Sequence, residues 1–117
     1  MNKITIFHNP RCGKSRETLK LIQEKVSDDD IEVVKYLEDV PSEEELKNIL
    51  TMLGVKAGEL VRKNEKIWKD NFKGKDFSED GLIKVMVENP KLIERPIVIK
   101  DGKAVIGRPP EQVYSIL

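Results

Sequence analysis

The apolar run Ile4 to Phe7, cut off by Asn9-Pro10, predicts a short buried strand that stops there. From Gly13 onward Leu19, Ile22 and Val26 recur at helical spacing and Leu21 widens the stripe. Arg16, Glu17, Lys20 and Glu24 cover the opposite face, so the segment predicts an amphipathic helix. Ser27-Asp28-Asp29-Asp30 then turns the chain into an alternating strand over Ile31 to Leu37, with Ile31, Val33 and Lys35 on one face. A strand, helix, strand unit of this kind closes right-handed with its strands parallel. Its first loop opens at the C-terminal edge of the sheet, where ligands bind.

The middle of the chain is helical in pattern. Ser42 with Glu45 forms a capping box, and Leu46, Ile49, Leu50 and Leu53 make a core stripe that Gly54 ends. A shorter helix is predicted over Ala57 to Arg62, while Asn64 to Lys75 is too mixed to predict a single element. Phe77 before the cap Ser78, with Leu82 behind it, reads as a hydrophobic staple opening a helix that runs to Glu88 and stops at Asn89-Pro90. Two further strands, Pro96 to Lys100 and Lys103 to Ile106, flank Asp101-Gly102, a strong signal for a hairpin with a type I′ turn. Pro109-Pro110 opens a short C-terminal helix carrying Val113, Ile116 and Leu117. This order predicts an α/β fold of thioredoxin-like type: a mixed four-stranded sheet flanked by helices, with a helical insertion between the second and third strands. Residues 1–117 are expected to form a single domain, with the insertion over roughly 42–90.

Composition narrows the range of functions. Lysine plus arginine and aspartate plus glutamate both number 21, so the chain as a whole exerts no electrostatic pull on nucleic acid or on a membrane surface. Any anion specificity must be local. The stretch Met1 to Phe7 is too short in apolar content for a leader, and no later run approaches a spanning helix, so a cytoplasmic protein is expected. With one cysteine no internal disulfide can form, which suits a reducing compartment and leaves the thiol free for chemistry. A monomer is the default expectation.

That cysteine lies in His8-Asn9-Pro10-Arg11-Cys12-Gly13-Lys14-Ser15-Arg16, between the first strand and the first helical turn. A thiol at a helix N-terminus beside cations has its pKa lowered and becomes a nucleophile, and Arg11, Lys14 and Arg16 are the nearest cations in sequence. Gly13-Lys14-Ser15 ends like a phosphate-binding loop, but the glycine such a loop needs five residues earlier is His8. A cysteine phosphatase loop would need an arginine where Thr18 stands. In thioredoxin-like redox sites a second cysteine three residues on resolves the oxidised product; here that residue is Ser15, so Cys12 must borrow an external thiol. His8, the sole histidine, is placed either to donate to the sulfur or to hold the loop. One cysteine and one histidine do not suffice for a zinc site, so no metal is expected. Arg62, Arg95 and Arg108 each stand at an element end, and arginine's planar fork is the side chain best suited to an oxyanion.

These motifs resemble the arsenate reductase family that depends on glutathione and glutaredoxin, over nearly the whole chain. The matching residues are His8-Asn9-Pro10-x-Cys12-x-x-Ser15-Arg16, Leu60-Val61-Arg62-Lys63-Asn64, Glu94-Arg95-Pro96-Ile97-Val98 and Arg108-Pro109-Pro110-Glu111. The resemblance implies that Cys12 is the nucleophile, that Arg62, Arg95 and Arg108 line an oxyanion pocket, and that the Arg95-Pro96 peptide is cis and faces the cysteine loop. His8, Ser15, Arg16 and Pro96 then support the site. It also implies arsenate as substrate, glutathione as co-substrate with no bound cofactor, and glutaredoxin as the partner that restores the thiol.

Two other functions share these residues. Spx-like regulators that bind RNA polymerase look similar over the whole chain, but they sense oxidation through a Cys-x-x-Cys pair that Ser15 removes. A thiol transferase acting on glutathione mixed disulfides would use the same thiolate and the same arginines, set against glutathione's carboxylates.

Overall fold

The computed structural model describes residues 3–117, so Met1 and Asn2 of the stretch read for a leader lie outside the described residues. Contacts divide the chain into two compact units, one of residues up to Asp39 together with Arg95–Leu117, the other of Val40–Glu94.

The first unit is built on the four-stranded mixed sheet that was expected, in the order β2-β1-β3-β4. β1 (Ile4–Phe7) pairs in parallel with β2 (Ile31–Val34), and the crossover between them is α1 (Gly13–Lys25). β3 (Ile97–Lys100) runs antiparallel to β1, with Phe7 opposite Ile97, and β4 (Lys103–Ile106) runs antiparallel to β3. Asp101 and Gly102 both hold positive φ, 51° and 76°, the pair of left-handed residues a type I′ hairpin requires.

Ile4, Ile6, Ile22, Val98 and Val113 are buried in one cluster, so the two central strands, α1 and the C-terminal segment share a core. The C-terminal segment is a 3₁₀ helix over Pro110–Ser115 packed on α1. β2 stops at Val34, three residues short of the predicted end. It is an edge strand, and Val33 on it is 43% exposed, so its alternation does not mark a buried face. Tyr36 beyond the strand is buried instead.

The second unit is helical. α2 (Glu43–Leu53) starts on the capping box of Ser42 and Glu45 and ends at Gly54, which takes φ 73°. α3 (Ala57–Leu60) is shorter than predicted, because Val61 leaves the helix to bridge antiparallel to Ile93. α4 (Lys66–Asn71) occupies the stretch whose pattern was mixed; Trp68, Phe72 and Phe77 pack there with ring centroids 5.7 to 5.9 Å apart. α5 (Glu79–Glu88) is capped by Ser78 through Gly81 N–H, and both α2 and α3 pack against it. None of the described helices is long and apolar enough to cross a membrane.

Candidate active site

The loop after β1 is assembled by short-range polar contacts. His8 N–H donates to the Val34 carbonyl at 2.8 Å, continuing the strand pairing by one residue. Asn9 then turns the chain twice over: its side-chain oxygen accepts from Arg11 N–H at 3.0 Å and its carbonyl accepts from Cys12 N–H at 2.9 Å. Ser15 is fully buried, its hydroxyl accepting from Asn9 N–H at 3.0 Å and lying 2.6 Å from His8 Nδ1. Of the two roles predicted for His8, holding the loop is the contact observed. Burial pushes the His8 pKa below its ordinary value, and the charges of Lys35 and Arg16 push it further; this favours the neutral ring, the form in which Nδ1 can accept a hydrogen bond from the serine hydroxyl.

Cys12 is the N-cap of α1, half-buried, with extended backbone angles that aim it off the helix start. Its sulfur makes no full capping hydrogen bond. Burial pushes the thiol pKa up, but Ser15 N–H, the Arg95 guanidinium and Lys14 N–H together outweigh it, and the net shift is downward. Arg108 Nη2 lies 3.7 Å from the sulfur. The cations that act on the sulfur therefore differ from those predicted. Arg11, Lys14 and Arg16 adjoin Cys12 in sequence, yet Arg16 Nη1 turns back to the Pro10 carbonyl at 2.9 Å, and Lys14 acts through its backbone N–H. The guanidinium groups come from the far end of the chain.

Two cis peptides frame those arginines. Arg95-Pro96 is cis, as the resemblance implied, and Arg108-Pro109 is cis as well, which the sequence reading did not anticipate. The two segments are tied together by Gly107 N–H to the Pro96 carbonyl at 2.9 Å and by Arg108 Nε to the Arg95 carbonyl at 2.8 Å. Gly107 is required here for space: a Cβ would stand 2.5 Å from Thr18 Oγ1 and 2.9 Å from Pro96 Cγ. Thr18, buried on α1, donates to the Lys14 carbonyl at 2.8 Å within its own helix and lies 3.5 Å from the Gly107 carbonyl, which sets the helix against this junction. Asn9, Thr18 and Gly107 are site residues that the sequence reading missed. Asn-Pro before a reactive cysteine was the one available signal, since asparagine's habit of bonding its own turn is local.

Arg62 belongs to the helical unit. Its N–H donates to the Leu92 carbonyl at 2.7 Å, and its guanidinium lies 3.6 Å from Glu65 and 4.0 Å from Glu94. The side chain is only 13% exposed, with Nη1 buried and lacking a hydrogen-bond partner among the described residues. No group of three or more histidine, cysteine, aspartate or glutamate side chains able to hold a metal ion occurs among the described residues.

Cys12, Arg95 and Arg108 thus form a compact site: a thiolate favoured by two backbone N–H groups at a helix start and by two guanidinium groups. Such a site can attack an electrophilic centre and neutralise negative charge on its oxygens.

Comparison with known proteins agrees over almost the full length. A model of the ArsC family matches residues 7–116. The uncharacterized protein YfgD of Escherichia coli K12 is 50% identical, covering 98% of this chain and 97% of its own. An arsenate reductase of Haemophilus influenzae is 43% identical over 97% of this chain and 98% of its own. The solved structure of an arsenate reductase from Vibrio cholerae superposes with a TM-score of 0.91 at 46% identity, covering 98% of both chains.

Proposed function

This chain belongs to the ArsC family, and we propose from that premise that it reduces arsenate to arsenite, with Cys12 as nucleophile and glutathione and glutaredoxin as external reductants. The observation that carries the reading is the position of Arg108 Nη2, 3.7 Å from the Cys12 sulfur, with Arg95 also bonded to it. Paired guanidinium groups at a thiolate suit a substrate whose oxygens surround the atom under attack.

Cys12 thiolate attacks the As(V) of dihydrogen arsenate; an S–As bond forms as one As–OH bond breaks, and the departing hydroxide takes a proton from solvent and leaves as water. Arg95 and Arg108 hold the remaining oxygens and neutralise the charge that builds on them. Arg62 enters as the third oxyanion-binding arginine on the strength of the family resemblance. Glutathione thiolate then attacks the Cys12 sulfur of the adduct, an S–S bond forms, and the S–As bond breaks with its electron pair left on arsenic. Arsenic becomes As(III) and departs as arsenite, while the two sulfurs join in a mixed disulfide. Glutaredoxin takes the glutathione from Cys12 by thiol–disulfide exchange and returns the thiolate. Ser15 supports this dependence on outside thiols, because its hydroxyl is committed to Asn9 and His8 and no second sulfur stands there.

His8, Ser15, Arg16 and Pro96 act as positioning residues for the loop and for Arg95. No bound cofactor enters the scheme. A reducing compartment, which the scheme requires, fits a cytoplasmic setting. The test is arsenite production by the full chain with arsenate, glutathione and glutaredoxin. Turnover that disappears in Cys12→Ser supports the reading, and a Cys12→Ser variant with full activity overturns it.

A further inference from the structure

A cavity of about 300 Å³ lies beside the nucleophile loop, lined by His8, Asn9, Pro10, Arg11, Lys35, Leu37 and Glu38. One wall is the loop after β1 and the other is the turn after β2, where Glu38 N–H donates to the Lys35 carbonyl at 3.0 Å. The two walls are pinned together by His8 N–H on the Val34 carbonyl. Its charges are arranged unevenly. Arg11 and Lys35 are exposed cations, Glu38 is an exposed anion, His8 is buried with its pKa held below the ordinary value, and exposed Pro10 and partly buried Leu37 add apolar lining. Lys35 stands close enough to His8 for its charge to lower the pKa of the ring, so the lysine belongs to this cavity and not to distant solvent.

Two cations and one carboxylate complement a small molecule bearing two carboxylates and one ammonium. Glutathione carries that set, with its thiol between the ends. The volume is at the lower end of the range for small-molecule sites, about 300 to 1,000 Å³. Arg11 precedes Cys12 directly, so their Cα atoms are about 3.8 Å apart and a peptide-length ligand seated here reaches the nucleophile loop.

We propose that this cavity seats the thiol co-substrate, with its carboxylates on Arg11 and Lys35 and its ammonium on Glu38. The assignment rests on the proposed thiol-dependent reductase activity for its biological meaning, and it names residues that the arsenate-binding arginines do not include. Glutathione specificity then comes from the loop after β1 and the turn after β2, while oxyanion specificity comes from Arg95 and Arg108.

The experiment titrates the full chain with S-methylglutathione, which cannot react, and follows binding by calorimetry in the wild type, in Arg11→Glu/Lys35→Glu and in Glu38→Gln. All three side chains are solvent-exposed, so the fold is retained. The double variant is expected to bind roughly tenfold or more weakly, the scale of losing a charge-assisted hydrogen bond, with KM for glutathione raised and KM for arsenate unchanged. A des-amino analogue should bind wild type and Glu38→Gln equally. Unchanged binding in the double variant, or KM values for glutathione and arsenate that rise together, overturns the cavity while leaving arsenate reduction standing. Charge-dependent binding of S-methylglutathione in a chain that produces no arsenite supports the cavity and counts against the reductase reading alone.

Discussion

Arg108 and Cys12 are separated by 96 positions in the chain, yet the Arg108 guanidinium lies 3.7 Å from the Cys12 sulfur. The contact depends on the sheet. β1 delivers the cysteine loop, and the β3–β4 hairpin beside it returns the chain so that Gly107 sits against Pro96 and Thr18 and Arg108 bonds the Arg95 carbonyl. Removing either guanidinium should raise the Cys12 pKa and slow the reaction. Arg108→Ala and Arg95→Ala are each expected to lower kcat/KM for arsenate by about 10²- to 10³-fold, the scale of one lost oxyanion donor. Arg108→Lys keeps the charge but not the fork and should fall between wild type and alanine. Ultraviolet thiolate absorbance against pH gives the pKa, and initial rates give the catalytic loss.

Ser15→Ala leaves the buried Asn9 N–H and the His8 ring without the hydroxyl that joins them. The expected cost is about 1 to 3 kcal/mol of folding stability, the range for stranding a buried polar group. Denaturant midpoints of the variant and the wild type measure it, and Ser15→Thr, which retains the hydroxyl, should recover part of the loss.

His8 gives stability a defined pH dependence. Its folded pKa lies below the ordinary 6.5, so the unfolded chain binds the proton more readily than the folded one. The stabilisation is complete above the ordinary value and is lost as pH falls through it toward the folded pKa. Between about pH 7.5 and about pH 5.5, before carboxylates titrate, the wild type should lose stability while His8→Gln loses less. Denaturation curves at the two pH values decide this.

Gly107→Ala places a methyl group 2.5 Å from Thr18 Oγ1 and 2.9 Å from Pro96 Cγ. Overpacking of this kind costs about 1 to 3 kcal/mol. Because Arg108 is the next residue, the variant should also raise the Cys12 pKa. A loss of stability with an unaltered thiol pKa would show that the junction does not position the guanidinium.

Much of this was legible in local pattern. The caps at Ser42 and Ser78 and the Asp101-Gly102 turn are set by residues within a few positions of each other, and the structure shows them where the pattern put them; the parallel pairing around α1 joins residues 27 positions apart and was legible through the handedness of the strand, helix, strand unit. Cys12 at the start of α1 was equally plain. What the pattern hid depends on distant partners. Val33 alternates like a core residue, but its strand lies at the sheet edge; Val61 leaves its helix because Ile93 offers a bridge. The charges near Cys12 show the same limit. Adjacency in sequence points to Arg11, Lys14 and Arg16, whereas Arg16 bonds the Pro10 carbonyl and Arg95 and Arg108 reach the sulfur from across the sheet.

The most direct test of Cys12 as a nucleophile toward arsenic is the intact mass of the full chain quenched during turnover with arsenate and glutathione in the absence of glutaredoxin. A single glutathione adduct on Cys12 is predicted, formed only when arsenate is present and strongly reduced in Arg108→Ala. An adduct that forms equally without arsenate, or arsenite release with Cys12 unmodified throughout, would contradict it.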